Sequence, residues 1–321
     1  MAQLSDVPAV LRTVGPFAFA KRVYQQINDD NLFAWAAALA YAWLFAIFPF
    51  LIAMLSLLPY LPERLKDNAK GEIYFFLQNI FSSDAVSTIW DNVLPVLDNP
   101  ANGLLGLGLI FAFWAASGGM NMTITALDRC YEFPNARPFY IQRPLAIALT
   151  IVVAILIIIL MALLPLGTLV IHWLERHGQY AFVRSPLAWT ARILRYPCAV
   201  LVMFMVLGIV YHFGPRIKQR FRFFTPGSIF SVSVWIVLAI FFRLYLDTFG
   251  KTSAYRKTYG TVGGAAILLL FFYIDALVLL IGAEINSEID FEILGIPRGS
   301  TDFRRAVASD SPPSEPTIAP V

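Results

Sequence analysis

Six long apolar stretches, near Leu32–Leu58, Gly103–Thr125, Leu145–Ile171, Pro197–Phe213, Pro226–Phe249 and Thr261–Ala283, leave this chain few ways to fold. About 20 apolar residues at ~1.5 Å rise each cross the ~30 Å hydrocarbon core of a bilayer. Lipid offers no hydrogen bonds, so every backbone N–H and C=O in such a stretch must be satisfied internally, which demands an α-helix. The expected fold is all-α: a polytopic membrane protein with six transmembrane helices plus interfacial amphipathic helices.

Only 14% of the residues are charged and 58% are hydrophobic, against about 25% charged in a soluble domain. The deficit runs the whole length, so the reading is one membrane domain over 31–290. A cytoplasmic lead with an interfacial helix precedes it over 1–30. A largely disordered cytoplasmic tail, rich in proline and serine from Ser309, follows over 291–321. The net charge of +3 is ordinary for a membrane protein and points to no nucleic-acid partner. Cys130 and Cys198 read as two unpaired small apolar residues. The first apolar stretch is too long for a signal-peptide core and is expected to persist as the first span.

Six spans put both termini on one side. With the N-terminus cytoplasmic, thirteen Lys and Arg fall inside and ten outside, with Arg243 left in a span. The dense cluster Arg216–Arg222 then lies in a short inner loop, where the positive-inside rule counts most. The expected location is the bacterial inner membrane, with both termini in the cytoplasm. Phe17–Ile27 is expected as an amphipathic surface helix, with Lys21 and Arg22 toward lipid headgroups. Two further amphipathic helices are expected within Pro59–Asn102, and another over Leu187–Tyr196. Pro49 should kink the first span.

Polar residues inside apolar helices carry the functional argument. On the second span Ser117, Asn121 and Asp128 share a narrow helical sector flanked by Thr125, with Gly118 and Gly119 allowing close approach of a neighbour. Such a stripe either hydrogen-bonds the bundle together or lines a pathway. Asp275 stands mid-way along the sixth stretch, where a carboxylate needs a watery or paired setting. It is expected to face Ser117 and Asn121. Arg243 and Asp247, four apart, form either an ion pair or an exposed anion contact. Gly250–Gly264 reads as a connection in which Lys251, Tyr255, Arg256, Lys257 and Tyr259 suit a phosphate, although GxxxxGK[ST] is absent. Glu284 closes the last span. Arg129 joins Arg137 and Arg143 as inner-end cations. The three histidines form no metal-ligand set, and GxSxG, CxxC and HExxH are missing. No catalytic residue, metal or cofactor is expected.

NLFAWAAALAYAWLFAIFPFL, FWAASGGMNMTITALDRCYE, RPFYIQRPLAIALT, TPGSIFSVSVWIVLAIFFRLYL and KTYGTVGGAAILLLFFYIDALVLLIGAEINSEI occur in that order. Together they resemble the YihY/BrkB family of bacterial inner-membrane proteins over about residues 30–290. The resemblance implies six helices with both termini cytoplasmic. It carries over Tyr41, Pro49, Trp114, Ser117, Tyr131, Lys257, Thr258, Tyr259, Gly260, Gly282, Glu284 and Asn286 as family positions. Asp275 departs from the family's pattern, which implies a small or hydroxyl residue there. The family has carried a ribonuclease label that no residue here supports.

The leading expectation is a transporter or flippase-like protein for a lipid or amphipathic anion, with membrane lipids as its partners. The alternative is a non-catalytic envelope scaffold that binds an envelope protein or forms a homo-oligomer. A membrane hydrolase or ribonuclease ranks below both.

Overall fold

The computed structural model describes residues 7–55, 104–133, 137–177, 181–216, 221, 223–249 and 253–294, with isolated positions between 70 and 91. Side chains are described for these except 9, 51–55, 104–110, 160–177, 181–196, 242–243, 245–249, 253–264 and 294. All regular structure among them is helical: α1 (Val7–Val14), α2 (Pro16–Asp29), α3 (Leu32–Leu55), α4 (Leu104–Cys130), α5 (Phe139–His177), α6 (Ala181–Phe213), α7 (Pro226–Phe249) and α8 (Ser253–Leu294). Leu32–Phe50, Phe139–Ile159 and Ala265–Ile293 are long and apolar enough to span a membrane, and Pro197–Phe213 and Pro226–Phe241 are shorter apolar helices. The chain is a polytopic, all-helical membrane protein.

Local chemistry sets the helix boundaries. Gly15, at φ 83°, separates α1 from α2, and Pro16 follows it at a position where a missing N–H costs nothing. Asn31, at φ 53°, turns α2 into α3, and its carbonyl accepts from Ala34 and Trp35 to start the new helix. α4 ends in a Schellman turn: Phe133 N donates to Asp128 O, Glu132 N donates to Arg129 O, and Glu132 takes the left-handed conformation at φ 58°.

Two connections expected from the sequence are absorbed into helices. The stretch Ile171–Tyr196 continues α5 to His177 and resumes as α6 at Ala181, so Leu187–Tyr196 is part of a long helix rather than a separate interfacial one. Gly250–Gly264, read as a loop, is helical from Ser253. Proline is absent from this segment, so nothing interrupts the i→i−4 ladder. The two amphipathic helices expected within Pro59–Asn102 and the tail from Ser309 lie outside the described residues, apart from scattered helical positions in the former.

The six long helices close a ring in chain order. α3 packs on α4, α4 on α5, α5 on α6, α6 on α7, α7 on α8, and α8 back on α3. Helix α8 also meets α4, α1 and α2. The main core draws Leu39 from α3, Leu127 from α4, Leu207 and Tyr211 from α6, and Leu280 and Ala283 from α8. The outward faces are apolar, with Phe45, Phe111, Ile155, Phe241 and Leu270 more than half exposed, as a bilayer solvent requires. α2 buries Val23 and Ile27 in this core. Its Arg22 turns to Glu292 at 2.9 Å and Glu288 at 3.8 Å on α8, rather than only toward headgroups.

Candidate functional site

Apolar helices have no hydrophobic reason to associate in lipid, so close approach and hydrogen bonds must hold them. α8 supplies both. Gly227 at the start of α7 and Gly282 of α8 meet backbone to backbone: a Cβ on Gly227 would lie 1.9 Å from Gly282 O. Thr225 caps α7, its Oγ1 accepting from Ser228 N (3.1 Å) while Ser228 Oγ accepts from Thr225 N (2.9 Å). Asn286 locks this cap to α8. Its Oδ1 accepts from Gly227 N at 2.8 Å, and its Nδ2 donates to Thr225 Oγ1 at 3.1 Å.

One turn along α8, three successive carbonyls each accept a side-chain donor from a different helix. Ser231 Oγ of α7 donates to Val278 O (3.1 Å), Tyr211 Oη of α6 to Leu279 O (2.8 Å), and Cys130 Sγ of α4 to Leu280 O (3.8 Å). Each carbonyl has a second lone pair beyond its helical bond. The Tyr211 and Ser231 hydroxyls are 3.0 Å apart.

The α4 stripe faces two neighbours. Toward α3, Trp43 Nε1 donates to Thr123 Oγ1 at 3.0 Å, and a Cβ on Gly119 would lie 3.0 Å from Ala46 Cβ. Gly118, expected to share this role, has open space beside it. Toward α5, Gln142 Nε2 donates to Thr125 Oγ1 at 2.8 Å and to Asn121 O at 3.4 Å, while Thr125 Oγ1 donates to Asn121 O at 3.0 Å. Ser117, fully buried, donates to Trp114 O at 2.7 Å. Arg143 also donates to Trp114 O, with its guanidinium carbon 4.3 Å from the Trp114 ring centroid. The Asn121 side-chain amide, half-buried at the depth of Trp43, makes no hydrogen bond among the described residues.

Asp128 ends the stripe in a buried latch. Its Oδ1 accepts from Arg216 N at 2.7 Å and lies 3.6 Å from Arg137 Nη2, which donates to Gly214 O at 2.8 Å. Burial pushes the Asp128 carboxyl above the usual carboxylate range, with the Arg137 charge and the Arg216 N–H opposing it. Burial likewise lowers Arg137, against the pull of Asp128. Each partner thus loses more to desolvation than the other returns, as is common for buried pairs.

The remaining expected residues fall as follows. Arg129 is exposed at the end of α4, 5.7 Å from the Trp35 ring centroid. Glu284 is fully buried on α8. Arg243 and Asp247 lie on α7, and Tyr255, Lys257 and Tyr259 on the opening turns of α8, with their side chains outside the described residues. Asp275 is half-buried and makes no hydrogen bond or ion pair among the described residues. It stands one turn before Val278 and Leu279, on the side of α8 turned to α7 and α6, whereas Asn121 and Thr125 turn to α5. No hydrogen bond joins Asp275 to Ser117 or Asn121. Among the described residues no three His, Cys, Asp or Glu side chains group to hold a metal ion.

Sequence reasoning missed Tyr211, Ser231, Thr225 and Gly227, and gave Gln142 no role. The TPGS run held a signal: a hydroxyl cap, proline at the first helical position, and a second hydroxyl three residues on. Nothing local marked Tyr211.

The family model described as Virulence factor BrkB matches residues 23–300. A Bacillus subtilis (strain 168) protein named ribonuclease-like protein YfkH is 31% identical over 275 residues, covering 84% of this chain and 94% of its own. A UPF0761 membrane protein of Xanthomonas campestris pv. campestris (strain B100) is 25% identical over 309 residues, covering 90% of this chain and 68% of its own. No solved structure matches.

Proposed function

Because this chain belongs to the BrkB family of membrane proteins, we propose that it moves a lipid or amphipathic anion across the bacterial inner membrane, without enzymatic chemistry and with both termini in the cytoplasm. The observation that carries this reading is the Asn121 amide. It stands on an apolar helix whose Thr123 and Thr125 bond Trp43 of α3 and Gln142 of α5, and its polar neighbours Ser117, Thr123, Thr125 and Gln142 are all satisfied within the protein. An amide in hydrocarbon without a partner is unfavourable by a few kcal/mol, so a position that leaves one unmet fits a passing polar headgroup. The acyl tails would stay in lipid beside the exposed Phe111 and Trp114.

Arg129, exposed beside the Trp35 ring, is an inner-end cation that would attract a phosphate, whereas Arg137 is paired with Asp128 and Arg143 donates to Trp114 O. The basic residues Arg243 and Lys257, with Tyr255 and Tyr259, serve the other end in this reading. The test is headgroup movement in vesicles. Purified protein reconstituted with fluorescent phosphatidylglycerol should expose inner-leaflet label to an external quencher faster than protein-free vesicles do. Asn121→Leu should slow it several-fold. A wild-type rate equal to that of empty vesicles for phosphatidylglycerol, phosphatidate and cardiolipin would refute transport. A single stoichiometric crosslinked partner alongside that result would favour the scaffold reading.

A further inference from the structure

Two polar groups at one level of the α7–α8 contact have no hydrogen-bond partner among the described residues. One is Asp275. The other is the Trp235 indole, whose Nε1 is buried and unbonded. The register brings them to the same level. Gly227 meets Gly282, and Ser231 meets Val278, so each step of four up α7 is a step of four back along α8. One further step sets Trp235 against Ile274, beside Asp275. Just beyond stands the Tyr211–Ser231 hydroxyl pair.

Asp275 lies inside the candidate span Ala265–Ile293, ten residues from one end and eighteen from the other. Its chain neighbour Ala276 enters the main hydrophobic core, to which Trp43 of α3, Cys130 of α4, Tyr211 of α6 and Trp235 of α7 also belong. The titratable groups of that core are Cys130, Tyr131, Tyr211 and Tyr273, and no ion pair reaches Asp275 among the described residues. Among the described residues a permanent charge there has no counter-ion, and a permanently neutral acid would be an expensive way to fill the space.

We propose that Asp275 is the exchangeable site of a coupling proton for the transport reading above, with the Trp235 N–H and the Tyr211–Ser231 hydroxyls as its polar surround. The proton arrives from one aqueous phase and forms an O–H bond on the carboxylate, leaving a neutral acid that tolerates the apolar core. Breaking the same bond delivers it to the other phase. No electron pair leaves the site and no co-reactant is needed. The imposed pH gradient then biases headgroup movement.

The proton site is read directly, without substrate, from the infrared carboxylic-acid C=O band of protein in vesicles. Wild type should show a band that rises and falls reversibly with pH. Asp275→Asn should lack it, Asp275→Glu should keep one at shifted frequency, and Trp235→Phe should move its midpoint. In the labelled-phosphatidylglycerol assay a transmembrane pH step should speed wild type at least threefold and leave Asp275→Asn unchanged. A band that is absent, unaffected by pH, or unchanged in Asp275→Asn would overturn the proposal, as would equal stimulation of Asp275→Asn. Lipid movement with a failed titration sinks the proton site alone. A good titration with no lipid movement sinks the transport reading, and coupling with it.

Discussion

Replacing Gly227 with alanine should be among the most damaging small changes in this protein. The new Cβ would sit 1.9 Å from Gly282 O and 2.7 Å from Asn286 Nδ2. The nearest obstacle is backbone, so no side-chain rotation relieves it, and the two helices must part by about 1.5 Å to regain ordinary contact. Overpacking of this kind costs about 1–3 kcal/mol. Parting also stretches the Gly227–Asn286 bond (2.8 Å), the Asn286–Thr225 bond (3.1 Å) and the Ser231–Val278 bond (3.1 Å), each contributing about 0.5–1.5 kcal/mol net. The expected loss is about 3–6 kcal/mol. Gly118→Ala is the matched control, because its Cβ would meet nothing within 4 Å. It should be neutral or stabilise by up to about 1 kcal/mol through helix propensity. Unfolding in mixed detergent, followed by tryptophan fluorescence, reads both. Equal stability of Gly227→Ala and wild type, or equal damage from Gly118→Ala, would refute the close-contact account.

Two further outcomes test the bundle's electrostatics. Burial raises Asp128 in the folded state, so the folded protein holds its proton more tightly than the unfolded chain does. That contribution to stability is full below the unfolded value of about 3.9 and is lost as pH rises through the folded one. The thermal stability of wild type relative to Asp128→Asn should therefore increase as pH is lowered from about 7 toward about 5; a relative stability that decreases on acidification would contradict the sign. For Arg22 and Glu292, 2.9 Å apart with Arg22 side-chain exposure of 48%, a double-mutant cycle should give about 1 kcal/mol or less, since solvent screens the pair. A coupling of several kcal/mol would show a tighter docking of α2 than this contact explains.

Residue type and run length carried the membrane assignment. Hydrocarbon admits few backbone solutions, so six apolar runs with little charge between them dictate helices whatever their partners. The stripe on α4 was legible for the same reason: Ser117, Asn121, Thr125 and Asp128 recur at helical spacing on an apolar background. The partners were not. Gln142 meeting Thr125, or Arg216 N meeting Asp128, joins residues 17 and 88 positions apart, and no local pattern encodes such a distance. Asp275 shows the limit most plainly. Its place within a long apolar helix was legible from the run, yet its direction, away from Asn121 and toward α7 and α6, depended on helix rotation.

The opening of α8 makes the same point about boundaries. Glycines and charges in Gly250–Gly264 resemble a loop in isolation, yet the helix begins at Ser253. Composition thus determined that the chain is helical and membrane-embedded, because the solvent imposes that on any such sequence. Rotation about each helix axis, and hence which polar groups pair across the bundle, was decided only when Gly227 met Gly282 and three carbonyls of α8 found donors on three other helices.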